Sequence, residues 1–81
     1  MNLNEEIMSI IAKVAKVPVN ELNLDTQIYN SKIVTSLGLL ELISALEKQY
    51  DIMLTPEELV EKNFSDIKTI VAFVERKMSS K

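Results

Sequence analysis

One glycine in 81 residues is the tightest constraint on what this chain can fold into. Gly38 and two prolines, Pro18 and Pro56, supply too few turn residues for a sandwich or barrel of many short strands. A few helices joined by polar loops need little more, so the expected class is all-α. Hydrophobic residues make up 47% and charged residues 26%, the balance of a globular domain rather than a disordered one. At this length one small core is expected, burying about 60 to 65% of the unfolded surface and leaving little room for a large catalytic cleft. Residues 1–81 are read as a single domain.

The apolar spacing locates the helices. Leu3, Ile7, Ile10, Ile11 and Val14 form one stripe at helical offsets, with Asn2 or Asn4 as N-cap and Val17-Pro18 as the stop. A connection from about Val17 to Thr35 comes next, unusually long for a compact domain. Its spaced Val19, Leu22, Leu24, Ile28, Tyr29 and Ile33 are expected to cover the core. From Ser36 to Tyr50 the residues Leu39, Leu42, Ile43, Leu46 and Tyr50 give a second helix with one buried face. Leu37, Glu41, Ser44 and Lys48 form its outer strip. Thr55-Pro56-Glu57-Glu58 has the form of a capping box with Pro at the first helical position, which predicts a short third helix from about Pro56 to Lys62. Ser65 or Asn63 is the expected cap of a last helix whose stripe is Ile67, Ile70, Val71, Val74 and Met78. The sum is a four-helix bundle with three longer helices and a short third one.

Charge and residue usage exclude whole classes of chemistry. There is no Cys and no His, hence no disulfide, zinc-thiolate site, thiol nucleophile or Ser-His arrangement. The sequential pairs Glu5/Glu6 and Glu57/Glu58 belong to helix first turns, where acids are expected, and point in different directions. The chain is therefore read as a binding or carrier protein and not as an enzyme. With a net charge of -3 and no basic-aromatic stripe, nucleic acid is not an expected partner. No basic leader or long apolar run is present, so the expectation is a cytoplasmic monomer without membrane insertion. The acids cluster: residues 37–61 hold Glu41, Glu47, Asp51, Glu57, Glu58 and Glu61 against Lys48 alone. That segment is either a solvated face or a surface that steers basic partners.

Gly38 falls inside the first turn of the second helix, where it costs up to about 1 kcal/mol relative to Ala and adds no packing. Ser36 stands two residues earlier, at the junction of loop and helix. On the residues alone, Ser36 reads either as an N-cap or as a place where an attached phosphate would face the positive end of the helix dipole. Leu37, apolar on a polar strip, reads as an ordinary exposed leucine or as a partner contact.

The run Ile33-Val34-Thr35-Ser36-Leu37-Gly38-Leu39-Leu40-Glu41-Leu42-Ile43-Ser44-Ala45-Leu46-Glu47-Lys48-Gln49-Tyr50-Asp51-Ile52 resembles the acyl carrier protein family around its Asp-Ser-Leu attachment motif. The likeness extends over almost the whole chain, including the Thr-Pro-Glu-Glu turn and the Asn-Phe-Ser-Asp-Ile start of the last helix. It implies that Ser36 is esterified by 4′-phosphopantetheine, transferred from coenzyme A by a phosphopantetheinyl transferase. The arm's thiol would then carry an acyl or aminoacyl group as a thioester, which supplies sulfur chemistry to a chain without Cys. An acyl- or aminoacyl-activating ligase and downstream transferases or synthases are the implied partners, with Leu37, Glu41 and Glu47 as their contacts. Three positions depart from the family pattern. Thr35 replaces the usual Asp and its charge, Gly38 replaces an acid common in primary fatty-acid carriers, and Lys48 adds a positive charge to the outer strip. In these respects the chain is more similar to discrete carriers of secondary pathways, including D-alanyl and free-standing peptidyl carriers. Thr35 also keeps open an alternative, a carrier-like adaptor that is never modified and acts only by protein binding.

Overall fold

The computed structural model describes residues 2–29, 34 and 36–80. Four helices order them: α1 (Leu3–Ala15), α2 (Ser36–Tyr50), α3 (Glu61–Phe64) and α4 (Ile67–Ser79). Helix α1 packs against both α2 and α4, and α3 against α4. The shared core is made by Ile7 and Ile11 of α1, Leu42 and Leu46 of α2, Phe64 of α3, and Ile67, Ile70 and Val74 of α4, all without solvent contact. Tyr50 aside, every buried side chain among the described residues is apolar. No described helix is long and apolar enough to cross a membrane.

Helix α1 starts where the side chain of Asn2 accepts from the Glu5 N–H at 2.8 Å. It ends one residue before the expected Val17-Pro18 stop, because Lys16 turns left-handed at φ 61° and its N–H closes back on the Ala12 carbonyl. Helix α2 has the expected bounds. At its end Asp51 takes φ 54° and Ile52 N–H bonds the Glu47 carbonyl at 3.3 Å.

The short third helix lies further along than expected. Glu58 does reach back to the Thr55 N–H at 3.0 Å, yet Pro56 opens only a single tight turn, over Pro56–Glu58. Continuation would need the Glu58 carbonyl for the N–H four residues on. That carbonyl instead accepts from the Asn63 side chain at 2.8 Å, and Val60 is extended, so the helix restarts at Glu61. The Glu58 carboxylate also holds Lys77 Nζ of α4 at 3.0 Å. Its hydrogen bond from the Thr55 backbone, then that lysine, keep its pKa below the ordinary carboxylate range.

The cap of α4 is Asp66, not Ser65 or Asn63; its Oδ1 accepts from Thr69 N–H at 2.9 Å. Ser65 has helical dihedrals and cannot act as cap, and Asn63 is occupied at Glu58. On α4, Phe73 is buried although the simple stripe omits it, whereas Met78 is 41% exposed. Helix α4 buries a broad face rather than a narrow stripe.

Only part of the long connection seals the core. Leu22, Ile28 and Val34 are buried, but Val19, Leu24 and Tyr29 are exposed, and Ile33 lies outside the described residues. Backbone pairing with the start of α4 anchors the connection. Ile28 N–H donates to the Ser65 carbonyl at 2.9 Å, Ile67 N–H to Thr26 at 3.2 Å, and Lys68 N–H to Leu24 at 2.9 Å. An ion pair of Lys68 with Asp25 at 2.6 Å lies beside this clamp.

A buried tyrosine joins α1 and α2. Tyr50 Oη donates to Glu6 Oε1 at 2.9 Å, and burial, aided by that hydrogen bond and by the charge of Glu6, pushes the phenol up to about 12. The fold therefore favours the neutral phenol. This contribution is complete below the free phenol's pKa of 10.0 and is lost as pH rises toward 12. Tyr50→Phe is expected to flatten the decline in melting midpoint over that alkaline window relative to the parent, measured by thermal scans at stepped pH. Parallel declines in the two proteins would contradict the assignment.

Candidate functional site

The start of α2 gathers the residues that carry the sequence signal. Ser36 is the first residue of the helix, directly after the loop that is clamped to α4. Leu37, one residue on, is 67% exposed, and Leu40, one turn later, is 61% exposed. Glu41 lies beside them in the open, whereas Gly38 is buried. A buried position in the first turn of the helix leaves little room for a side chain, which gives the glycine a steric reason. Thr35 lies outside the described residues.

This helix start differs electrostatically from the others. Glu5 and Glu6 occupy the first turn of α1, and Asp66 caps α4, but the first turn of α2 contains no acid. The positive end of a 15-residue helix is thus not offset by its own first-turn side chains. Such an end suits the phosphodiester of an arm attached at Ser36. No first-turn carboxylate opposes a phosphate there, and Leu37, Leu40 and Glu41 are exposed, so the residues present fit the group. When bound, the arm supplies a terminal thiol.

Glu47 is placed differently from Leu37 and Glu41. It is half-buried, and its Oε2 accepts from Leu54 N–H at 2.9 Å, so it ties the loop after α2 to the helix. Eleven residues separate it from Ser36, about 16 Å along the axis. Glu58 is likewise engaged, with Lys77. The acidic middle segment therefore presents fewer available carboxylates than its composition suggests. The stripe reading passes over Leu40. Its signal is its offset of three from Leu37, which places both leucines on one exposed edge.

A helical bundle whose second helix begins at a serine with no acid in its first turn, beside exposed leucines and in a chain without Cys, has the form of a carrier for an attached group. A family model described as "Phosphopantetheine attachment site" matches residues 5–75, nearly the whole chain, and the chain belongs to that family. It is a phosphopantetheine-carrying protein, and 4′-phosphopantetheine is its covalent prosthetic group. Such a carrier interacts with a phosphopantetheinyl transferase and with biosynthetic enzymes. No curated protein matches the sequence.

Proposed function

We propose that the chain is a discrete, non-catalytic, cytoplasmic and monomeric carrier, which holds acyl or aminoacyl intermediates as thioesters on an arm attached to Ser36. Ser36-Leu37 at the acid-free start of α2, inside the family-matched span, is the observation that carries this reading. Ser36 serves as an attachment point, for which an accessible position matters more than an activated hydroxyl. A flexible arm there raises the effective concentration of cargo for whichever enzyme docks. Leu37 and Glu41 form the nearer part of the docking face and Glu47 the farther part. An activating ligase loads the thiol, and downstream transferases or synthases of a fatty-acid-like, polyketide or nonribosomal-peptide type receive the cargo.

The reading is tested by loading. After arm attachment, incubation with ATP and an acyl-activating or aminoacyl-activating ligase should add the mass of the chosen acid. Hydroxylamine should remove that mass, as it does a thioester. A chain that takes the arm but accepts neither class of acid from any such ligase would overturn the proposal.

Thr35 favours one second reading, an adaptor that works unmodified. It also makes a kinetic prediction. Transferases commonly engage the negative charge that carriers place before the serine, so Thr35→Asp is expected to raise kcat/KM for arm transfer by on the order of ten-fold, the worth of one favourable charge contact. Continuous assay of coenzyme A consumption measures this, and an unchanged rate would show that the transferase does not sense position 35.

A further inference from the structure

The seam between α1 and α2 holds a groove that arm attachment does not use. It encloses about 290 Å³ over an apolar floor of Ile10 and Val14 from α1 and Ala45 from α2. Lys13 and Lys48 stand on its walls, one from each helix, and Ser9 and Gln49 complete the rim. All four rim residues are exposed, and no carboxylate lines the groove. Neither lysine forms an ion pair with a described residue, in contrast to Lys68 and Lys77, which pair with Asp25 and Glu58. Each of the two lies in the last turn of its helix, where a cation suits the dipole. That accounts for a lysine at either position, but not for their meeting over one apolar floor in a chain of net charge -3.

We propose that this groove is a second docking face, which receives a segment of a partner protein presenting aliphatic side chains flanked by carboxylates. The charge of the rim selects for acid and the floor for apolar surface. A half-open groove of 290 Å³ lies just under the range of about 300 to 1,000 Å³ of small-molecule pockets. One or two side chains from a helical segment fit such a seam better than an enclosed ligand does. Lys48 stands about 18 Å along α2 from Ser36, so a partner seated here leaves the start of the helix free. The proposal goes beyond the carrier reading and holds whether or not Ser36 is modified.

The probe is an alanine-based helical peptide with blocked ends and a Glu-Leu-Leu-Glu turn, titrated into the isotope-labelled chain and monitored by NMR. Shift changes are expected to centre on residues 9–14 and 45–49. The double substitution Lys13→Glu and Lys48→Glu should weaken binding by on the order of ten-fold. A Lys-Leu-Leu-Lys peptide should not produce these shifts. Absence of shifts at millimolar peptide, shifts centred elsewhere, or equal affinity in the double variant would each overturn the proposal. Sedimentation of the chain alone adds one more outcome. Self-association abolished by the double substitution would assign the groove to an acidic face of a second copy and overturn the separate partner. The double variant is expected to keep its helical circular dichroism and to accept the arm at Ser36, so failure here and failure of the carrier reading are distinguishable.

Discussion

Ser36→Ala is expected to abolish arm attachment outright while leaving the bundle folded. The atom lost is the one that would form the phosphodiester, and the chain has no Cys to take over the thiol's role. Alanine is the best helix former, and position 36 begins a helix whose core contacts start at Leu39, Leu42 and Ile43, so the packing is not disturbed. Ser36 is the first residue within α2 and not the cap before it, contrary to the N-cap reading of the sequence, so the substitution removes no N-cap. The measurement is intact mass after incubation with coenzyme A, magnesium and a broad-specificity transferase, beside circular dichroism of the same sample. Loss of biological activity with fold and partner binding intact would remove the adaptor alternative. Full activity in the Ser36→Ala protein would remove the carrier reading.

The largest effect on stability is expected at Phe64→Ala. Phe64 is the one buried residue of the four-residue α3, and it meets Phe73 of α4 edge to face, with ring centroids 5.5 Å apart. A helix this short has no stability of its own and is held by what it packs against. Removing a fully buried phenyl ring costs about 3 to 5 kcal/mol, through lost transfer energy and the cavity left behind. A domain of this size has a total stability of roughly 4 to 12 kcal/mol, so the variant should lose a large part of its folding free energy. Urea denaturation should show a clearly lower midpoint, and the melting temperature should fall by more than about 12 °C. Met78→Ala, at a residue 41% exposed near the end of α4, is expected to change little and serves as the comparison. Equal midpoints for Phe64→Ala and the parent would contradict the packing of α3 on α4.

The long helices are legible in the sequence because each repeats its apolar residues over three or more turns, long enough for a 3.6-residue period to stand out. The bounds of α2 come from that pattern alone. Helix α3 is displaced from its expected position because that position depends on a side chain: Asn63 takes the carbonyl of Glu58 and interrupts the helix that Pro56 begins. The cap of α4 departs from expectation for a related reason, since Ser65 is committed to helical geometry and its carbonyl to Ile28 across the fold. In the connection before α2, composition does not tell Leu22 and Ile28, which are buried, from Leu24 and Tyr29, which are not. Backbone pairing to the start of α4 makes that choice, and such pairing leaves no local periodicity.

The site is legible in a different way. Ser36 and Leu37 stand out through the family's motif, and Gly38 through being the one glycine. Glu47 has a second, structural role that the motif does not show. Position and charge mark it as a partner contact, but its carboxylate is bonded to Leu54 N–H, a pairing between residues seven apart across the end of α2. Lys13 and Lys48 lie 35 residues apart in the chain, and only the packing of α1 on α2 brings them to one groove.

The most direct test of the central claim is fragment mapping of the unmodified protein after incubation with coenzyme A, magnesium and a phosphopantetheinyl transferase, with a known carrier treated in parallel. One phosphopantetheine on the fragment containing Ser36, and on no other serine, is the predicted result. No addition while the control carrier is modified, or addition at a different serine, would contradict the assignment of Ser36 as the attachment point.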